Sequence, residues 1–389
     1  MTPGPSDAEF GEELGAVCFA AGGTGGHLTP MLAIAEALRA RRPNLRTRFL
    51  CSSREIDARV LEPTGEPWTP LPAQPPVLHP WKFAKFVGAW GPSVRATRHA
   101  IRALRQELQQ AGLPARIELV TTGGFVAAPA VQGARVERVP VTLVNLDAVP
   151  GKASRWIAPK AGRVLTTLPV PDAPRTPVWT RIPPIVRPGA GFDATPEQAR
   201  AELGLEPDRP VLLITGGSQG ARSLNNFVLA LLDDAPELFA GWQIVHQTGP
   251  GEMIDRARAA WARAGVPGVV EPYLDRFGLA WRVADLAIAR GGGGTVTDAW
   301  RAAVPSIILP YPDHRDRHQH ANAAPLVEVG GAVVLEDRVE PALNLREHGE
   351  RVRTLLRDAA ARERMRAGLR TLGPTEGAER LADLLIANA

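Results

Sequence analysis

Cysteine is nearly absent from this 389-residue chain, which has only Cys18 and Cys51. Both lie in apolar runs that predict strands, so we interpret them as buried, reduced thiols rather than as a disulfide or a metal site. Reduced thiols are typical of a cytoplasmic protein. The sequence also lacks any apolar run near the roughly 18 residues of a membrane-spanning helix. Its first fifteen residues lack the basic start and apolar core of a secretory signal, so we expect a cytoplasmic chain that does not cross a membrane.

A strong excess of charge of one sign is also missing. Lysine and arginine number 45 against 41 aspartates and glutamates, and this net charge of +4 does not by itself indicate nucleic-acid binding. The chain has no RNA-binding signature, helix-turn-helix spacing or zinc pattern, so we expect no nucleic-acid partner. With 44% apolar and 22% charged residues, the composition is typical of a globular protein, and the length allows two domains.

What the sequence does have is a regular alternation of apolar strand-like runs and helical patterns. This alternation is typical of parallel sheets wound by helices. We therefore predict an α/β fold with two Rossmann-like, doubly wound parallel-sheet domains facing a cleft. The predicted strands are 16–20, 46–51, 117–121, 141–144 and 162–166 in the first half, and 211–215, 242–247, 269–272, 286–289, 306–309 and 332–335 in the second.

A proline-rich passage over residues 171–188 interrupts the alternation between the two halves. We expect a flexible tail over residues 1–14, an N-terminal domain over 15–188 and a C-terminal domain over 189–389. In such an arrangement the last helix could cross back onto the N-terminal domain.

Two glycine-rich stretches each follow a predicted strand and precede a helical pattern. They are GGTGG at residues 22–26 and GGSQG at residues 216–220. A strand, a glycine turn and a helix present unpaired backbone N–H groups and a partial positive charge to an anion. The first loop differs from a dinucleotide fingerprint, because Cys51, Ser52 and Ser53 stand where an acidic residue is expected. A tight turn that needs positive φ is the alternative interpretation.

His27 comes directly after the first glycine loop, at the predicted start of a helix. An imidazole at this position could point into the cleft between the domains and act as a general base. A solvated histidine at a helix start is the alternative interpretation.

A third glycine run, Arg290–Asp298, also joins a predicted strand to a helix. Four successive glycines let a ligand approach the backbone closely, and the Asp298 carboxylate could accept both hydroxyls of a ribose. The polar segment 311–322 follows, and an ordinary polar loop is its alternative interpretation. Its histidines match no zinc or iron spacing, so we expect no metal.

Five motifs now stand in the order and spacing of one bacterial family. The chain resembles, over roughly residues 15–385, the peptidoglycan N-acetylglucosaminyltransferases that convert lipid I to lipid II (the MurG family), which are GT-B glycosyltransferases. The resemblance implies a UDP-GlcNAc-dependent transferase of cell-wall synthesis that uses neither a cofactor nor a metal. The motifs are GGTGGHLTP (22–30), GGFVAAP (123–129), GGSQGARSLN (216–225), RGGGGTVTD (290–298) and DRHQHANA (316–323).

The resemblance implies that the C-terminal domain binds UDP-GlcNAc. Uracil would pack near Leu274, and Asp298 would hold the ribose where the family usually has Glu. The residues implied to contact the donor are Arg187, Ser218, Gln219, Leu274, Gly293, Gly294, Thr295, Asp298, His318, Gln319 and Asn322.

It implies in turn that the N-terminal domain binds the undecaprenyl-linked acceptor, lipid I. The mechanism expected is inverting: the acceptor's 4-hydroxyl displaces UDP while a base removes the proton, and we nominate His27. Arg187 and helix N-termini would neutralise the departing diphosphate in place of a metal. The residues implied to contact the acceptor are Gly23, Thr24, Gly25, Gly26, Gly123, Gly124 and Asp147.

The chain departs from the family mainly on the acceptor side. Residues 144–147 read VNLD where the family commonly has HEQN, residues 183–187 read PPIVR for the usual GNPVR, and the loop near residues 74–76 lacks a glycine-and-basic pattern. Donor identity is therefore better supported than acceptor identity. The alternatives are a transferase with another lipid or metabolite acceptor and a non-catalytic UDP-sugar-binding relative. UDP-GlcNAc 2-epimerases share the fold, but the first two glycine loops argue against that activity.

The most aromatic stretch of the chain spans residues 79–90. Phe83, Phe86 and Trp90 fall at i, i+3 and i+7, so a helix would place them on one face beside Lys82 and Lys85. Four arginines between residues 95 and 105 follow. We expect this helix to contact an anionic membrane surface, which places the protein peripherally on the cytoplasmic face of the inner membrane. Packing of the aromatic residues into the N-terminal core is the alternative.

Overall fold

The computed structural model describes residues 13–23, 25–77, 79–171, 173, 177–186, 191–217 and 219–387. The chain forms two compact units. The first runs to Val186 and resumes at Glu376, and the second spans the residues between them. Three residues that the resemblance assigns to the site, Thr24, Arg187 and Ser218, lie outside the described residues, as does most of the predicted tail.

The first unit contains a seven-stranded sheet in which all neighbouring strands are parallel. Its strands are β1 (Leu14–Ala20), β2 (Arg46–Ser52), β3 (Trp68–Leu71), β4 (Arg116–Thr121), β5 (Val141–Asn145), β6 (Arg163–Thr166) and β7 (Trp179–Arg181). They lie in the order β3-β2-β1-β4-β5-β6-β7. All seven residues of β1 are buried, as expected for a central parallel strand whose two faces are both covered.

Helices connect these strands. They are α1 (Gly25–Arg41), α2 (Glu55–Leu61), α3 (Pro80–Gln110), α4 (Ala127–Val136) and α5 (Lys152–Ile157). Two apolar cores result, one on each face of the sheet: Phe19 and Phe49 stack in one at 4.9 Å between ring centroids, and Ile101 and Leu104 of α3 are buried in the other.

The second unit repeats the design with six parallel strands. They are β8 (Val211–Thr215), β9 (Gln243–Gln247), β10 (Gly268–Glu271), β11 (Leu286–Ala289), β12 (Ser306–Ile308) and β13 (Ala332–Val334), in the order β10-β9-β8-β11-β12-β13. The helices are α6 (Pro196–Leu203), α7 (Arg222–Asp234), α8 (Met253–Arg263), α9 (Phe277–Val283), α10 (Gly293–Ala302), α11 (His318–Glu328), α12 (Pro341–Arg357) and α13 (Ala359–Arg370).

The last helix, α14 (Gly377–Ala387), belongs to the first unit although it follows the second in sequence. It packs against α1, and Leu381 and Leu385 are fully buried in the same core as Phe19. The Gly377 N–H donates to the Pro184 carbonyl oxygen at 3.0 Å, which fixes the return of the chain to this unit.

The prediction of two doubly wound parallel sheets is confirmed. Two strands were missed, β3 and β7, and both form edges of the first sheet. Edge strands are short and lack the continuous apolar run of a central strand, and β3 contains Pro70. The proline-rich passage that we expected only to interrupt the pattern therefore contains β7.

The predicted tail is wrong at its end, because Leu14 already belongs to β1 and is buried, in register with Arg116 of β4. Within the residues that the structure describes, no helix combines the length and apolar composition required to cross a bilayer.

Candidate functional site

A crevice forms at the carboxyl edge of the first sheet, where β1 and β4 are neighbours. The chain leaves these two strands toward opposite sides of the sheet, and ligands of open α/β sheets bind at such a switch point. The glycine loop after β1 and the Gly123–Gly124 turn after β4 lie here. Gly124 has φ +82°, and a Cβ on it would lie 3.5 Å from His27 Cδ2 and 3.6 Å from His27 Nε2. The turn therefore lies against the imidazole.

His27 lies in the first turn of α1 and is partly buried. Its Nδ1 is shielded from solvent and has no hydrogen-bond partner among the described residues. Burial lowers the pKa of His27 below its ordinary value, although the carboxylates of Asp147 and Asp57 act in the opposite direction. The ring is therefore neutral at pH 7 and able to accept a proton. The structure thus brings Gly124 against His27, and the Asp147 carboxylate acts electrostatically on the His27 ring.

The Gly23 N–H is engaged within the protein, so a contact between Gly23 and the acceptor, which stays a prediction, would not use this N–H. This N–H donates to the Asp57 carboxylate, at 2.9 Å to Oδ1 and 3.0 Å to Oδ2. Gly23 has φ +90°, and a Cβ on it would meet the Phe125 ring at 2.2 Å. Glycine is required here by backbone conformation and by space. Gly25 and Gly26, which open α1, remain candidates because the first amides of a helix have no intrahelical partner.

The equivalent crevice of the second sheet lies between β8 and β11. Helix α10 begins here, and its N-cap Gly292 supplies no side-chain hydrogen bond. The first-turn amides of Gly293, Gly294 and Thr295 therefore face the carboxyl edge of the sheet without intrahelical acceptors, an arrangement suited to an anion.

Asp298 lies on the second turn of α10 and is partly buried. Burial raises the pKa of this carboxyl to about 8. Among the described residues, no group forms a hydrogen bond or an ion pair with it. At neutral pH Asp298 is thus largely protonated, and it can donate one hydrogen bond and accept another; two ribose hydroxyls can satisfy both, because each hydroxyl is a donor and an acceptor.

The start of α11 is held against the glycine loop that precedes α10. Asn322 Nδ2 donates to the Gly291 carbonyl oxygen at 3.1 Å, and a Cβ on Gly291 would lie 2.1 Å from the Gln319 carbonyl oxygen. Gln319 Oε1 accepts the Tyr311 N–H at 2.9 Å, and His318 Nδ1 lies 2.7 Å from Asp316 Oδ1. His318, Gln319 and Asn322 are therefore placed together beside the loop.

Leu274 and Gln219 lie in the two remaining loops assigned to the donor. The Leu274 N–H donates to Gln247 Oε1 at 3.1 Å, and the helix that follows this loop, α9, packs against α10. Gln219 is exposed and lines a groove of about 770 Å³ between the loops after β8 and β9, together with Arg222 and Arg256. Their roles toward the donor stay predictions.

Comparisons with known proteins were consistent with this geometry. Residues 17–166 match the glycosyltransferase family 28 N-terminal domain, and residues 211–381 match the glycosyltransferase family 28 C-terminal domain. The chain belongs to glycosyltransferase family 28. It is therefore a glycosyltransferase by family, with one family 28 domain on each of its two sheets.

Several curated relatives of this family 28 chain carry one name, UDP-N-acetylglucosamine–N-acetylmuramyl-(pentapeptide) pyrophosphoryl-undecaprenol N-acetylglucosamine transferase. The protein of that name from Nocardioides sp. is 35% identical over 95% of this chain and 97% of its own length. The protein of the same name from Mycolicibacterium smegmatis is 36% identical over 87% of this chain and 85% of its own length. Among solved structures, Acinetobacter baumannii MurG superposes with a TM-score of 0.68 at 23% identity, covering 96% of this chain and 99% of its own, which supports the fold.

A buried ion pair that the sequence analysis missed organises the donor-side loops of this family 28 chain. Arg290 Nη1 lies 2.8 Å from Asp337 Oδ2 and donates to the Leu309 carbonyl oxygen at 2.8 Å. Its Nη2 donates to Ser223 Oγ at 2.7 Å. Arg290 thus ties together the segments that follow β8, β11, β12 and β13. Burial alone would raise the pKa of Asp337, but hydrogen bonds from Ser223 and Asn344 lower it overall.

The N-terminal part of α3 carries the predicted membrane contacts. No residue between 80 and 92 is buried, and Phe83 is 50% exposed, with Lys82 and Lys85 exposed beside it. Trp90 does not share this exposure, because Nε1 donates to Gln132 Oε1 at 2.5 Å and the ring packs edge-on against Trp156. The sequence analysis missed Trp81, which at 78% is the most exposed large apolar side chain among the described residues, and also Val87 at 56%.

The positive charge expected along the rest of α3 is partly neutralised. Arg98, Arg102 and Arg105 all pair with the Glu137 carboxylate, which follows α4. Hydrogen bonds from Arg102 and Arg98 lower the pKa of Glu137. These three arginines therefore hold α3 against the residue that follows α4, and their contribution to binding an anionic surface stays a prediction.

We predict that Asp298→Asn gains stability relative to the wild type as pH rises. The raised pKa of Asp298 means that the folded chain keeps a proton which the unfolded chain releases between about pH 4 and pH 8, so wild-type stability falls across this window. Asn does not titrate. Between pH 5 and pH 9 we expect a relative gain of at least about 1 kcal/mol, or roughly 2–4 °C in Tm. Thermal unfolding at both pH values checks this, with exposed Asp208→Asn as the control; parallel pH profiles for wild type and Asp298→Asn would contradict it.

Proposed function

We propose that this chain transfers GlcNAc from UDP-GlcNAc to the 4-hydroxyl of a lipid-linked MurNAc-pentapeptide, forming lipid II from lipid I. The observation that supports this most strongly is that the glycine motifs, the acid and the histidine lie at the switch-point crevices of the two sheets. The curated relatives named for this reaction match nearly the full length of the chain.

The donor half of the proposed site is the C-terminal domain. The α10 amides at Gly293–Thr295 and the positive end of that helix suit a diphosphate, and Asp298 suits the ribose. The resemblance adds Arg187 and Ser218 as phosphate contacts and Leu274 as a uracil contact. His318 and Gln319 then approach the sugar or the diphosphate from the start of α11, and the buried Asn322 supports that loop through the Gly291 carbonyl oxygen.

The acceptor half is the N-terminal domain, and the reaction is a single displacement. The acceptor's 4-hydroxyl oxygen attacks the donor's C1 and forms the new β bond. The bond from C1 to the phosphate oxygen breaks, and UDP leaves with the electron pair. Neutral His27 takes the hydroxyl proton. Fixed donors at the leaving diphosphate, Arg187 and the α10 amides, stabilise the charge that develops there, so we propose that turnover needs no metal.

The exposed end of α3 supports peripheral attachment to the cytoplasmic face of the inner membrane, where a lipid-linked acceptor resides. Trp81, Phe83 and Val87 offer apolar surface, while Lys82 and Lys85 offer positive charge to anionic lipid.

We predict that the double variant Trp81→Ser/Phe83→Ser loses vesicle binding. Each aromatic side chain contributes about 1.5–3 kcal/mol to the free energy of membrane binding if it is fully inserted. Partial insertion of the two still predicts that the double variant loses roughly 10–100-fold in affinity for the vesicles. Cosedimentation with anionic vesicles measures it. Val339→Ser, which removes a 53% exposed apolar side chain from the other domain, is the control. Equal binding of the double variant and the wild type would contradict this role for α3.

The function itself is tested by incubating the purified chain with UDP-GlcNAc and a lipid I analogue, and by measuring UDP release and product mass. A product heavier than the acceptor by one GlcNAc, with one UDP released for each, is expected. UDP-GlcNAc binding without product would support the alternative of another acceptor, which the replacement of HEQN by residues 144–147 favours. Absence of both binding and product would overturn the proposal.

A further inference from the structure

The Asp57 carboxyl group is fully buried on α2 and joins the ends of two strands. In addition to the Gly23 N–H after β1, it accepts the Ser52 N–H at 2.9 Å and the Ser52 hydroxyl at 2.5 Å at the end of β2. Such a carboxylate is stabilised by several directed donors, which offset the cost of its burial. The sequence analysis expected an acid at the end of the second strand and found none there. The Asp57 carboxylate reaches that strand end from α2, through its hydrogen bonds with Ser52.

The glycine loop is shaped around this carboxylate. A Cβ on Gly22 would lie 2.5 Å from Asp57 Oδ2 and 2.9 Å from the Ser52 nitrogen, so a side chain there would displace the acid. On the other side of the loop, Gly23 leaves room only for the Phe125 ring. Asp57 therefore fixes the direction of the Gly23 N–H, which points toward the Asp57 carboxylate on α2.

This arrangement bears directly on His27. The loop leads into the first turn of α1 within a few residues, and that turn carries the imidazole. A shift of the loop would move the ring relative to Gly124. Errors of about 1 Å in the placement of a reacting group can cost on the order of 100-fold in rate.

We propose that Asp57 is a positioning residue for the acceptor half of the reaction, because its carboxylate fixes Gly22 and Gly23 ahead of the first turn of α1, which carries His27. This inference rests on the proposed function.

The charge of Asp57 gives the proposal a second, independent readout. Among the described residues, the charged groups that act on the His27 ring are Asp147, which follows β5, and Asp57 on α2. Both raise the pKa of His27 against the effect of burial. Removing the Asp57 charge lowers that pKa, and the acidic limb of kcat/KM reports it.

The test compares Asp57→Asn with the wild type in two-substrate kinetics across pH. We expect kcat/KM for the lipid I analogue to fall about 10–100-fold, the dissociation constant of UDP-GlcNAc to stay within about twofold, and the acidic limb to move to lower pH. Glu55→Gln is the matched control: it removes a carboxyl group from the same helix, but this group is exposed and pairs only with Arg59. It should leave all three quantities unchanged.

The outcomes separate this inference from the function on which it rests. Absence of product from the wild type overturns both. Wild-type turnover with unchanged acceptor kinetics and pH profile in Asp57→Asn overturns the positioning role alone, as does an equal loss of donor affinity. Should Asp57→Asn fail to fold, Ser52→Ala removes one hydroxyl donor to Asp57 and keeps the carboxylate. A rise of severalfold in the acceptor KM then supports the role, and an unchanged KM contradicts it.

Discussion

His27→Ala should lower kcat by about 10²–10⁴-fold, the usual contribution of a general base. The acceptor hydroxyl is a weak nucleophile, so its proton must leave as the new bond forms. The structure supplies one neutral imidazole at the N-terminal crevice, against the Gly124 turn, with its pKa lowered by burial. Rates from UDP release with saturating donor and acceptor measure the effect.

The donor half provides the control for this variant. Because His27 lies in the first unit and Asp298 in the second, the affinity of His27→Ala for UDP-GlcNAc should match the wild type by calorimetry. Asp147→Asn is a useful companion, since loss of that charge lowers the pKa of His27 and should move the acidic limb of kcat/KM to lower pH. Full turnover by His27→Ala would remove His27 as the base and leave Asp147 as the next residue to test.

Asp298→Ala should weaken UDP-GlcNAc binding by about 10–100-fold. The carboxyl group has no hydrogen-bond partner among the described residues, and the proposed function assigns it to two ribose hydroxyls. Loss of one or two hydrogen bonds of 0.5–1.5 kcal/mol each, together with hydroxyls left unpaired on binding, accounts for roughly this range. Calorimetry with UDP-GlcNAc measures it.

Asp298→Asn separates hydrogen bonding from cavity effects in the same experiment. The amide keeps one donor and one acceptor group at nearly the same positions, so it should bind the donor much better than Asp298→Ala does. His27→Ala serves as the variant with unchanged affinity. Wild-type donor affinity in Asp298→Ala would show that the ribose is bound elsewhere.

The central strands were predictable because burial on both faces requires a continuous apolar run. On that basis the strands over residues 211–215 and 286–289 were predicted with the correct bounds. The prediction for β1 started two residues late, at residue 16 rather than at Leu14, and its end was correct. The glycine loops followed from the same reasoning, since each joins a buried strand to a helix. The edge strands β3 and β7 carry no such run, and nothing in their local sequence distinguishes them from loops.

The supporting side chains of the candidate site were not predictable in this way. Asp57 and Arg290 each bind groups that lie far away in sequence, and only the sheet order brings these groups together. The sequence does contain one signal for Asp57, an acid in the first turn of the helix after β2, but it stands beyond the strand end where a dinucleotide fingerprint has its acid. The partners of Trp90 and of the three arginines that pair with Glu137 were not predictable, because helical spacing gives the face of a helix and does not reveal what packs against it.

The most direct test of the transfer reaction is proton NMR and mass analysis of the product formed from UDP-GlcNAc and a lipid I analogue in the presence of EDTA. We predict a single disaccharide product with a β-(1→4) linkage, formed in equal amounts with UDP and at an undiminished rate in the chelator. Free GlcNAc or an epimerised sugar nucleotide, with no disaccharide, would contradict the account.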